Sequence, residues 1–218
     1  MAFDFRLRLN LVDCCKRMYD RGLVGGTQGN ASIKIDNQRI LITPSGSNLG
    51  YLKPYDSVVI SMSGKKLAGD GKPSSEYLLH LGVYKDRPDI AAICHAHPVA
   101  ATALSMTGDC LNKLILPEIF CTFGRIPVVE YGAPGTPELF AGLQPHLAGH
   151  DAFILSNHGA VTLGKCLNDA FNKMEILERY VQSLILAKSI GGIREIPLSA
   201  AGSIPGCAGI LSRDTSVK

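Results

Sequence analysis

The sequence has no apolar run near the roughly 20 residues a membrane-spanning helix needs. It has no cluster of Lys and Arg, and its net charge is only +3. Neither a nucleic-acid partner nor a membrane partner is therefore expected, although a small anion needs only a local site. There is no Walker loop and no dinucleotide fingerprint, so no glycine-rich turn is assigned a nucleotide. None of the 7 cysteines makes a Cys-x-x-Cys pair. An odd, scattered set without a secretory leader reads as reduced thiols, mostly buried and inert, in a cytoplasmic protein. No repeat and no linker divides the chain.

What is there suits one globular domain. The 218 residues are 46% hydrophobic and 19% charged, enough for a full core. A single domain is expected over residues 1–199, followed by a loosely held tail over 200–218, rich in Gly, Ser and other small residues.

The most informative stretch is Ile90 to Pro98. An apolar run with the character of a buried strand ends in His95-Ala96-His97. Alternate residues of a strand share a face, so His95 and His97 can present two imidazoles side by side. Two nitrogens on one zinc, each at roughly 2.0–2.1 Å, need about that arrangement. Pro98 stops strand pairing and places the pair at a strand end. A further histidine, His158, follows another apolar strand, Ala152 to Leu155, with Gly159 allowing a close turn. His95, His97 and His158 make a three-imidazole set with an open fourth position, as in a catalytic zinc site.

Other segments read as follows. Phe5 to Arg21 is an amphipathic helix stopped by Gly22. Ala31 to Ile35 and Arg39 to Ile42 form a hairpin turning at Asp36-Asn37, and Ser57 to Met62 is a further strand. Lys72-Pro73-Ser74-Ser75-Glu76 is expected to open a helix running to about Tyr84, Val99 to Met106 a further helix, and Ile126 to Glu130 a strand. A long helix runs from Asn168 to Ile190, with Ala170, Met174, Leu177, Val181, Leu184 and Ile185 on its apolar face and Gly191-Gly192 ending it. Ser74 or Ser75 is the expected N-cap of the helix after Pro73, with Glu76 in its first turn. The same features could bind an anion: hydroxyls and free N–H groups at a helix start, with Glu76 beside them as acid or base. His80, one turn on from Glu76, reads as a core or supporting histidine rather than a ligand.

Gly26-Thr-Gln-Gly-Asn30, Thr43-Pro-Ser-Gly46, Pro73-Ser-Ser-Glu76, His95-Ala-His97 and Asn157-His-Gly159 occur in an order and spacing that resemble the class II aldolase/adducin family, in its L-fuculose-1-phosphate aldolase branch, up to about Gly192. The resemblance implies an α/β fold of three layers, α-β-α, with a central, mostly antiparallel sheet flanked by helices. It implies a homotetramer with active sites at subunit interfaces. It implies one Zn2+ per subunit on His95, His97 and His158, with Glu76 available as a further ligand when substrate is absent. It implies a substrate phosphate held by Gly29, Asn30, Ser45, Gly46, Ser74 and Ser75, and Glu76 as the catalytic acid/base. In the fuculose enzyme a tyrosine from the neighbouring subunit lies a short way past the histidine pair. Leu116 stands at that place here, and no tyrosine follows Tyr180 to match a second one near the family C-terminus. The metal and phosphate halves of the site carry over, and the half that recognises the aldehyde does not.

The chemistry implied is cleavage of a phosphorylated ketose to dihydroxyacetone phosphate and an aldehyde. Breaking a carbon–carbon bond beside a ketone leaves a carbanion, stabilised as an enediolate by a Lewis-acidic divalent ion. Alternatives on the same scaffold are a decarboxylase of a keto-tetronate 4-phosphate and a pentulose-phosphate 4-epimerase. The decarboxylase branch usually carries a lysine where Ser75 stands. A non-catalytic adducin-like module would lack the metal ligands that are present here.

Overall fold

The structure, a computed structural model, describes residues 2–107, 111, 113–197, 199–200 and 204. Its strands are β1 (Asn30–Lys34), β2 (Arg39–Ile42), β3 (Val58–Ser61), β4 (Lys66–Ala68), β5 (Ala92–Ala96), β6 (Val128–Val129), β7 (Ala152–Leu155) and β8 (Gly159–Gly164). They form one 8-stranded sheet in the order β4-β3-β2-β1-β5-β8-β7-β6. Every pairing is antiparallel except β6 with β7. The helices are α1 (Ala2–Asp20), α2 (Tyr77–Asp86), α3 (Val99–Ser105), α4 (Pro117–Phe123), α5 (Pro137–Leu143) and α6 (Leu167–Ile190).

The sheet lies between two apolar layers, so the fold is the expected α-β-α sandwich. On one face, Ala31, Ile33, Ala92, Cys94 and Ala160 pack against buried residues of α1, α3, α4 and α6. On the other, Ile40, Ile42, Ile93, Val161 and Leu163 pack against α2 and α5. Alternation along β5 therefore turns Ile93, and with it His95, towards the α2 side. All of β5 and β8 is buried. Strands covered on both faces lose the polar half of the alternating pattern.

Several expectations are corrected in detail. The sequence pattern does not predict β8, because its ends are glycines. A Cβ on Gly164 would lie 2.4 Å from Ala170 N, and one on Gly159 would lie 2.5 Å from Ala96 O, so only glycine lets these backbones approach. Helices α4 and α5 are not predicted either. Each has 7 residues, too few to show a helical period, although each begins with the proline that favours a helix start. Ile185 is 41% exposed and does not share the buried face of α6. Cys14, Cys15 and Cys94 are buried free thiols and Cys166 an exposed one, but Cys121 is disulfide-bonded, against the reading of reduced thiols throughout. Of the tail over 200–218, all but Ala200 and Ile204 lies outside the described residues. No helix among the described residues is long and apolar enough to cross a membrane.

Candidate active site and metal centre

The site forms at one end of the sheet. The start of β1 pairs with the end of β5, Asn30 opposite His95, and the end of β5 pairs with the start of β8, Ala96 opposite Ala160. His95 is the last but one residue of the buried strand β5, and His97 follows just beyond the strand. His158 sits in the tight turn between β7 and β8, where Asn157 takes a left-handed conformation at φ 54 and His158 N–H donates to Leu155 O at 3.1 Å. Asn tolerates that conformation better than most residues.

The three imidazoles, far apart in sequence, meet. Their ring centroids are 4.9 Å apart for His95 and His97, 4.7 Å for His95 and His158, and 4.8 Å for His97 and His158. His95 Nδ1 lies 3.0 Å from Ala160 O. A carbonyl only accepts, so Nδ1 carries the hydrogen and Nε2 faces the cluster. His95 Nε2 and His97 Nε2 are 3.1 Å apart. Two nitrogens bound to one tetrahedral zinc would be about 3.3–3.4 Å apart.

Glu76 enters the same space from the N-cap position of α2. Its Oε2 is 3.0 Å from His95 Nε2 and accepts from Asn30 Nδ2 at 2.7 Å. Its Oε1 is 3.2 Å from His158 Nε2 yet makes no hydrogen bond, and His158 Nδ1 is also buried without a partner. Buried polar atoms are rarely left this way without a ligand or ion to complete them. The donor set, imidazole nitrogens with a carboxylate oxygen alongside, suits a divalent cation, and His95, His97 and His158 form a group able to hold one.

Charge in the site is shared unevenly. Burial opposes ionisation of Glu76, but the positive charge and hydrogen bond of His95, with His158 and Asn30, hold its carboxyl well below the usual carboxylate range. Burial works against a charge on His95 too, yet Glu76 outweighs it and raises its pKa. Burial, then the neighbouring His95, pushes His97 down to about 3 and His158 down to about 4. Without an ion, Glu76 thus favours a proton on His95 over one on His97 or His158. A bound cation would take that proton's place.

The residues assigned to phosphate come from loops brought to the same rim. Ser45 N–H donates to Lys72 O at 2.9 Å, Ser74 N–H donates to Thr43 O at 3.0 Å, and Pro44 bridges Pro73. These bonds tie Thr43–Gly46 to Lys72–Ser75. Gly29, at φ 74, is pressed against β5: a Cβ there would lie 2.8 Å from His95 O. Ser45, Gly46 and Ser75 are exposed, Gly29 is half-buried, and Asn30 and Ser74 are buried. Ser74 Oγ accepts from Glu76 N–H at 3.3 Å. The N-cap of α2 is therefore Glu76, one residue beyond the serines expected there, and Ser74 supports it through a local turn.

His80 is fully buried and belongs to the core, as its position suggested. Leu116 is half-buried against the apolar layer of α4 and α6, so it offers the site nothing polar. Sequence reasoning missed the loop after β6. A Cβ on Gly135 would lie 3.2 Å from Ser75 O, so the Gly132–Thr136 turn borders the exposed serine. The cluster Gly132-Ala-Pro-Gly-Thr136 is the turn signal that could have marked it.

Comparison with known proteins agrees with this architecture. The family model described as "Class II Aldolase and Adducin N-terminal domain" matches residues 9–185. A 3-oxo-tetronate 4-phosphate decarboxylase of Haemophilus influenzae is 38% identical over 176 residues, 77% of this chain and 81% of its own. An L-fuculose phosphate aldolase of Methanococcus maripaludis is also 38% identical, over 182 residues, 84% of this chain and 97% of its own. Among solved structures, YgbL of Escherichia coli superposes with a TM-score of 0.86 at 30% identity, covering 93% of this chain and 99% of its own. An L-fuculose 1-phosphate aldolase superposes with a TM-score of 0.82 at 31% identity, covering 94% of this chain and 96% of its own. With its fold and most of its length in common with these proteins, the chain belongs to the class II aldolase and adducin N-terminal domain family.

Proposed function

We propose that the chain is a zinc-dependent aldolase, a carbon–carbon lyase that cleaves L-fuculose 1-phosphate or a similar deoxy-ketose 1-phosphate to dihydroxyacetone phosphate and an aldehyde. The observation that carries this reading is Glu76 Oε1, buried without a hydrogen-bond partner against three converging imidazoles. His95, His97 and His158 would hold one divalent ion, which would supply Lewis-acid stabilisation of the negative charge left when the carbon–carbon bond breaks. Zinc suits an all-imidazole site with one open position.

Cleavage breaks the C3–C4 bond of the ketose. The C4 hydroxyl loses its proton and becomes the aldehyde carbonyl, while the electron pair stays on C3. Glu76 takes up that proton at Oε1, directly or through a water, and delivers it to C3, so the proton that leaves the C4 hydroxyl is the one gained at C3. Ser45, Gly46, Ser74 and Ser75, with Gly29 and the second Nδ2 hydrogen of Asn30, hold the phosphate and fix C3 over Glu76. A homotetramer with active sites between subunits fits the apolar residues left uncovered, among them Leu9, Leu186 and Ile190. The protein acts on a small phosphorylated sugar in the cytoplasm, with no nucleic-acid or membrane partner.

A second reading, a 3-oxo-tetronate 4-phosphate decarboxylase, is favoured by the relatives of that name at 38% and 35% identity. Ser75 favours the aldolase, because it offers a hydroxyl where the decarboxylase branch usually has a lysine. The test is incubation of the zinc-loaded protein with dihydroxyacetone phosphate and a panel of aldehydes, in parallel with 3-oxo-tetronate 4-phosphates. New phosphoketose is expected. Release of carbon dioxide with no condensation product would replace the first reading with the second.

A further inference from the structure

A line of buried polar groups runs from the core to Glu76, and neither the metal nor the phosphate grip accounts for it. Tyr84 Oη lies 2.8 Å from Ser32 Oγ, and Ser32 Oγ lies 2.7 Å from His80 Nδ1. His80 Nε2 lies 2.6 Å from Asn30 Oδ1, and Asn30 Nδ2 lies 2.7 Å from Glu76 Oε2. Tyr84, Ser32, His80 and Asn30 are all at most 4% exposed, so no solvent intervenes.

The direction of each bond follows from the last one. An ionised carboxylate only accepts, so Asn30 turns its NH2 to Glu76 and its oxygen to His80. That oxygen also only accepts, so His80 carries its hydrogen on Nε2. Burial, with the charge on His95 beyond Asn30, lowers the pKa of His80 to about 3, so the ring is neutral and Nδ1 is an acceptor. Ser32 O–H therefore donates to Nδ1, and the Ser32 oxygen takes the Tyr84 O–H.

We infer that Tyr84, Ser32, His80 and Asn30 form a one-way chain of donors that positions Glu76, with His80 held as the Nε2–H tautomer. The chain occupies Oε2 and leaves Oε1, the oxygen beside His158, as the one that exchanges protons with substrate. The last clause rests on the aldolase or decarboxylase reading; the chain and the tautomer do not. His80 and Asn30 are positioning residues here, and the side chain of Asn30 serves Glu76 before any phosphate.

Nitrogen-15 NMR of the imidazoles in the full-length, zinc-loaded protein at pH 7.5 reads the tautomer with no substrate present. A pyrrole-type Nε2 and a pyridine-type Nδ1 are expected for His80, and the reverse assignment would overturn the chain. Kinetics of three variants then test its purpose. His80→Leu is expected to lower kcat about 10–100-fold, with KM and zinc content nearly unchanged. Ser32→Ala moves the same quantities less. His80→Gln, whose amide can donate to Asn30 and accept from Ser32, restores most of kcat. Equal loss in the Gln and Leu variants would assign His80 to packing alone and defeat the inference. Should no phosphoketose or sugar-acid phosphate be turned over, the proposed reaction fails while the NMR result still decides the chain.

Discussion

Glu76 shows how much of the site depends on single atoms. Asn30 and His95 engage one carboxylate oxygen, and the other faces the imidazoles without a hydrogen bond. Glu76→Gln keeps an oxygen that can accept from Asn30 but cannot carry a proton to carbon. Its kcat is expected to fall about 10²–10⁴-fold, with zinc retained by the three imidazoles. Steady-state rates with metal analysis of the same sample check both halves, and full cleavage activity on every substrate the wild type accepts would sink the role of Glu76. Gly159 is the second sensitive position. A Cβ there would lie 2.5 Å from Ala96 O and 2.9 Å from His97 Cδ2, so Gly159→Ala must displace the loop or the ligand. Loss of most bound metal is expected, read as substoichiometric zinc in a folded protein.

Among the elements, α3 carries the constraint on His97. It begins right after His97-Pro98, and Pro98 supplies no capping side chain. The cap comes from α6: Glu178 Oε1 and Oε2 accept from the N–H groups of Ala100 at 3.0 Å and Ala101 at 2.9 Å. A carboxylate at a helix start is favoured by both the free N–H groups and the helix dipole. Glu178→Ala leaves those donors unpaired in a buried place. It is expected to cost about 2–3 kcal/mol, measured by urea unfolding of the metal-free protein, and to weaken zinc binding through the shifted start of α3. Nothing in the spacing of Glu178 marks it as a cap, because its partners lie 77 and 78 residues away.

The whole molecule responds to pH through its buried histidines. Burial first, then the neighbouring His95, lowers the pKa of His80 and His97 to about 3 and that of His158 to about 4. The unfolded chain takes protons on these residues near pH 6.5, roughly the ordinary histidine value, and the folded chain refuses them. Their contribution to stability is full above that value and is lost as pH falls towards their folded values of about 3 to about 4. His95, raised by Glu76, works oppositely: its contribution is full below its unfolded value and lost as pH rises through the folded one. Three groups oppose one, so the metal-free protein is expected to unfold at lower urea at pH 5 than at pH 7.5. A divalent ion bound to the imidazoles would add stability by mass action, about 4 kcal/mol at a thousand times its Kd. Chelation is therefore expected to lower Tm at pH 7.5, and by much less at pH 5, where protons compete for the imidazoles. Melts with and without chelator at both pH values read this directly.

The residues themselves determined the elements with a strong local pattern: the period-two pair His95 and His97 at a strand end, the long apolar stripe of α6, and the hairpin at Asp36. The block holding His158 also pointed to the third imidazole of the candidate metal group. Tertiary structure alone decided that His158 Nε2 reaches Glu76, that Ala160 O sets the tautomer of His95, and that Asn30 turns its amide to Glu76. It also decided that a strand begins at Gly159. Local pattern records which face a side chain takes relative to its own backbone. These contacts depend instead on where distant strands stop against one another, which is set by burial on both faces of the sheet.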